Sequence, residues 1–187
     1  GSFTVDRQNG VELGLRGKLR FNDNNQPEAT YNYDGVDTYT FKAGAAPGGF
    51  GFDPNSPTTP IWNFEWSVNT NFTGKTIDGE NKKLNDFTYL MGLDTDPGPG
   101  TNFNLFDPIT VSLADHAIGD NNTGNGAGAT ASNATEYASL IANNNVAQNS
   151  WNYEFFNDPG DPTEGFDPNV PGVYTIGLSV QDESNDP

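Results

Sequence analysis

WNFEW at 62–66 and WNYEF at 151–155 decide the fold. Successive side chains of a β-strand point to opposite faces. That period puts Trp62, Phe64 and Trp66 on one face, with Asn63 and Glu65 on the other. In the second pentapeptide it puts Trp151, Tyr153 and Phe155 opposite Asn152 and Glu154. Large rings are the main carriers of burial in a chain that is 12% aromatic and only 33% hydrophobic. The two stretches therefore read as strands with their rings in a core and their Glu residues in solvent.

Working outward, short alternating runs predict strands over 2–8, 11–21, 37–43, 61–69, 86–93, 108–114, 149–156 and 172–181. In the third run Tyr39 and Phe41 share a face. The 22 Gly and 13 Pro fall between these runs. Eight short strands in 187 residues predict an all-β domain, a single two-sheet β-sandwich of jelly-roll type around one core. One helix interrupts it near 134–144: Asn133 is placed to cap it, with Glu136 three residues on, and Tyr137, Leu140 and Ile141 recur at helical spacing. The stretch 120–134, DNNTGNGAGATASNA, has almost nothing to bury and predicts a mobile loop. Asp-Pro occurs seven times, and GFDPN stands at both 51–55 and 165–169. Asp bonds its own backbone and Pro presets φ, so each pair is a turn device. GFDPN precedes WNFEW but follows WNYEF, which argues for recurring corner chemistry rather than a tandem duplication.

The formal charge is −17. All eight basic residues lie in residues 1–83, whereas 84–187 hold 15 acidic residues and no Lys or Arg. Such a surface repels nucleic acid and anionic lipid, and no apolar run reaches membrane-spanning length. With no Cys and a single His, neither zinc nor thiol chemistry has its ligands.

Four constellations could carry chemistry. Glu65 and Glu154 could form the carboxylate pair of a sandwich glycoside hydrolase, roughly 5–5.5 Å apart in a retaining enzyme, but alternation favours solvated strand positions. Exposed members of Trp62, Trp66, Trp151 and Tyr153 could instead stack on a carbohydrate. Calcium needs hard oxygens on a tight turn, and Asp94 with Asp96 in LDTDPGPGTN, Asp34 with Asp37, and Asp158 with Asp161 supply them. Leu105 stands where an EF-hand would place its bidentate Glu, and each pair reads equally as an Asx-turn. His116, with Asp115, Asp120 and Ser112 nearby, lacks a G-x-S-x-G nucleophile turn and reads as structural.

Taken together, VDRQNGVELGLRGKLRF, DGVDTYTF, WNFEWSVNT, LNDFTYLMGLDTDPGPGTNF, ADHAIGDN, EYASLIANNNVAQNSWNYEFF and FDPNVPGVYTIGLSV resemble the body of exported bacterial proteins that carry a PEP-CTERM sorting tail. The resemblance covers about residues 3–182 and not the tail itself. It implies export in a polysaccharide-producing Gram-negative bacterium and sorting to the cell surface or matrix, and it transfers no catalytic residue. The expectation is a secreted, acidic, non-catalytic module, structural or adhesive, calcium-stabilised if the Asp turns bind metal. Its partners would be extracellular polysaccharide or another surface protein. The last predicted strand, 172–181, has no return strand, which predicts an open sheet edge available for self-association. A carbohydrate-binding module and a glycosidase are the alternatives.

Overall fold

The computed structural model describes residues 3–50, 58–75, 81–111 and 116–182. Two antiparallel sheets pack face to face. The larger contains β1 (Thr4–Gln8), β2 (Val11–Leu19), β3 (Trp62–Asn69), β6 (Ala117–Gly119) and β7 (Val146–Trp151), in the order β1-β2-β3-β7-β6. The smaller contains β4 (Phe87–Asp94), β5 (Phe103–Phe106) and β8 (Ile176–Asp182), in the order β5-β4-β8. Among the described residues β8 pairs with β4 alone. The chain is thus an all-β sandwich with one short helix, α1 (Ala134–Asn143). Asn9 and Gly10, both at positive φ, turn the β1–β2 hairpin, the backbone twist that Asn-Gly favours.

The rings of WNFEW do face the core. Phe64, Trp66 and Val68 are buried on β3, and Phe87, Tyr89, Met91 and Leu93 meet them from β4. Trp151 lies 6.0 Å from Phe64 and 5.2 Å from Trp66, edge-on or tilted, as ring quadrupoles prefer. WNYEF behaves differently. Strand β7 ends at Trp151, and Tyr153–Phe156 form a 3-10 turn. Asn152 causes the break: its amide donates to the Trp62 carbonyl and to Asn63 Oδ1, while its oxygen accepts from the Glu154 N–H. The side chain supplants the ladder. Tyr153 still reaches the core, but Phe155 is turned outward and is 46% exposed.

Two other expected strands are corrected. Residues 37–43 form an irregular segment, because Asp34 Oδ1 gathers the N–H groups of Val36, Asp37 and Thr38 into an Asx-turn. Tyr39 and Phe41 nevertheless share a face and press on Gly17, where any Cβ would lie 2.8 Å from Tyr39. Over 108–111 the chain turns, since Asp107 accepts from Ile109 and Thr110; residues 112–114 lie outside the described residues. The strand of that region is Phe103–Phe106. The turn reading of Asp-Pro holds at Asp96, Asp107 and Asp167, each bonding the N–H two residues on at 2.8, 2.8 and 2.9 Å. The first GFDPN, 51–55, lies outside the described residues.

Asn133 caps α1 by accepting from the Glu136 N–H, while the Glu136 carboxylate accepts from both the N–H and hydroxyl of Ser132. Those bonds hold Glu136 below the ordinary carboxylate range. No helix among the described residues is long and apolar enough to cross a membrane.

Three buried tyrosines tie loops to the core through their hydroxyls: Tyr89 donates to the Leu84 carbonyl, Tyr137 to that of Ile109 and Tyr153 to that of Asp94. Burial chiefly, and then the carboxylates of Asp107 for Tyr89 and Tyr137 and of Asp94 for Tyr153, push all three phenols far above their ordinary value. A folded-state pKa above the unfolded one stabilises below about pH 10 and loses that contribution as pH rises. In an alkaline titration, tyrosinate absorbance from these three should therefore appear only together with loss of the near-UV dichroism. Smooth ionisation of all seven Tyr with the dichroism intact would contradict their burial.

Candidate functional site

The outward face of β3 carries Asn63, Glu65, Ser67 and Asn69. Register sets Glu65 opposite Arg16 on β2 and Ser150 on β7. One Glu65 oxygen takes the Arg16 guanidinium and the other takes Lys18 Nζ at 2.6 Å. Glu65 is only 8% exposed and Arg16 6%. Two cations on one carboxylate leave the triad with one positive charge, but every group in it is paired and hydrogen-bonded, the condition on which buried charge is tolerated.

Beside the triad, and sharing Arg16 with it, lies a cleft of about 320 Å³. Phe3 and Arg16 bound it on one side, Ser67 and Gln148 at the centre, and Asn121 and Thr123 on the other. The far wall belongs to the stretch expected as a mobile loop. Its side chains are mostly exposed, but its backbone is pinned: Gln148 donates to the carbonyls of Gly124 and Ala127 and accepts from the Gly126 N–H. Asn121 adds bonds to Asn69, Asn145 and the Asn71 carbonyl, each 2.8 Å. Asn71 Oδ1, at the end of this amide cluster, is buried without a partner.

The anticipated site residues are not gathered here, apart from Glu65. Glu154 sits on the 3-10 turn, where the Thr59 hydroxyl donates to it, while Glu65 is occupied by β2 cations; the two carboxylates have separate partners. Trp66 and Tyr153 have no exposed surface, Trp151 is buried beside them, and Trp62 is half-buried against Phe41, Tyr153 and Phe166. Trp66, Trp151 and Tyr153 thus belong to the core and offer a sugar almost no surface, while Trp62 packs half-buried against it. Comparison with known families, curated proteins and solved structures gives no match.

The acidic turns are served by backbone. Asp94, fully buried, accepts from the N–H groups of Asp96, Asn102 and Thr175, joining β4 to its hairpin and to the start of β8. Asp96 accepts from Gly98 and Asp37 from the Thr38 hydroxyl, while the Asp158 carbonyl accepts from the Asp161 N–H. Among the described residues no three His, Cys, Asp or Glu side chains converge as metal ligands. His116 is a core residue, packed on Trp66, Trp151 and Tyr137, with Nδ1 facing Asn149 and Nε2 facing the Val111 carbonyl. Ser112 and Asp115 lie outside the described residues.

Sequence reasoning missed the cleft because its residues come from five separated segments, none of which carries a recognisable binding motif. One signal was present: the basic residues cluster in the first strands, and three of them, Arg7, Arg16 and Lys18, turn out to be paired on this face.

Proposed function

We propose that this protein is a non-catalytic adhesive module acting outside the cell, and that it holds a strand of extracellular polysaccharide across the outer face of its larger sheet. The observation that carries this reading is the cleft itself: it is braced through Arg16 by the ion triad and lined by the Ser67 hydroxyl and the Asn121 and Asn125 amides, groups of the kind that sugar hydroxyls pair with. Catalysis has less support, because Glu65 is neutralised by two cations and Glu154 lies with a different partner. Acidic composition and the absence of Cys accord with life in an extracellular matrix without disulfides.

Ser67 gives a clean test. It projects into the middle of the cleft and is neither in the ion triad nor in the core. Ser67→Trp should fill the cleft and lower polysaccharide retention, read by affinity electrophoresis, by at least about tenfold. The melting temperature should barely move, since surface substitutions stay within about 0.5 kcal/mol. Undiminished retention by Ser67→Trp would remove the cleft from the function.

A further inference from the structure

Resting on that reading, we infer that the polymer is uncharged and that Phe3 is the ring on which one of its sugars stacks. Phe3 lies at the edge of the cleft, just before β1. Its ring approaches Gly14, where an added Cβ would be 3.2 Å from it, and the Arg16 guanidinium sits 4.4 Å from its centroid. Gly14 and Arg16 are two apart on β2, so both contacts come from the sheet floor. Phe3 is half-buried by these contacts and still lines the cleft. Gly14 is what seats the ring: a side chain there would lift it from the sheet. The Arg16 guanidinium beneath the ring is held in place by Glu65.

The charges around the cleft select the ligand class. Arg7 pairs with Glu12, and Arg16 and Lys18 share Glu65. Those two cations share one carboxylate, and Asp120 lines the cleft as well, so three cations stand against three carboxylates and the face has no net positive charge to receive a uronic or sulfated polymer on a chain of formal charge −17. Neutral sugar rings offer a C–H face to Phe3 and hydroxyls to the Ser67 hydroxyl and the Asn125 amide.

The test measures retention of the folded protein, at low and high salt, by a neutral β-glucan, a neutral mannan and alginate. A neutral polymer should retain it with less than about twofold dependence on salt, since little screening acts on uncharged groups. Phe3→Ala should lose about tenfold and Phe3→Trp should keep wild-type retention, with both melting as the parent does. Alginate retention that disappears in salt would overturn the assignment of an uncharged ligand. Loss in Ser67→Trp with full retention in Phe3→Ala would overturn Phe3 alone and leave the cleft standing. Retention by none of the polymers would overturn the cleft reading and this inference together.

Discussion

Glu65→Ala is expected to destabilise the protein by about 3–5 kcal/mol, seen as a lowered denaturant midpoint with an unchanged m-value. The size follows from what remains. Arg16 and Lys18 would keep two positive charges on a face where Arg16 is buried and Lys18 mostly covered, with no other carboxylate among the described residues within ion-pair distance. Losing the Coulomb attraction matters less than stranding those cations, because a desolvated charge without a partner carries nearly its whole desolvation penalty. A companion variant separates the two. Arg16→Met with Lys18→Met and Glu65→Leu removes all three charges while keeping apolar bulk, and should recover most of the lost stability. If the single and triple variants fall equally, the triad's worth lies in packing. If Glu65→Ala costs under about 1 kcal/mol, the triad behaves as an exposed surface pair and does not brace the cleft.

That result bears on how much the sequence could say. Alternation in WNFEW set the rings inward and Glu65 outward, as found. It could not say that the outer face is itself covered, because burial of Glu65 depends on Arg16 and Lys18, 49 and 47 residues away, and on a register fixed by the whole β2–β3 ladder. The second pentapeptide failed for a local reason. Asn152 can bond neighbouring backbone, so a polar position that alternation treats as mere filling ended the strand. The same chemistry undid 37–43, where Asp34 gathered three N–H groups. Asx and Asn side chains are legible as turn formers where Pro or Gly follows them, as in Asp-Pro, but not inside an alternating run. The helix was legible because cap, acidic residue and apolar spacing agreed.

Trp66→Ala is the other large effect, about 3–5 kcal/mol, or roughly 6–20 °C in melting temperature for a domain of this size. Trp66 is wholly buried, its ring between Trp151 at 5.2 Å and His116 at 5.3 Å, so truncation opens a cavity at the junction of β3, β7 and the His116 segment. Its indole N–H adds a second element: it is buried and has no acceptor. An unpaired buried donor costs about 1–3 kcal/mol, and phenylalanine carries none. Trp66→Phe should therefore lose far less than the ring area implies, within about 1–2 kcal/mol of the parent, because the removed penalty offsets part of the lost packing. Equal losses for Phe and Ala would show that the N–H has a partner after all. The pair also divides the strand by face. Trp66 points inward between Glu65 and Ser67, which point outward. Well below its lowered melting temperature, Trp66→Ala should hold polysaccharide as the parent does, whereas Ser67→Trp should melt normally and fail to bind. Stability and adhesion would then reside on opposite sides of one β-strand, separated only by the alternation of its side chains.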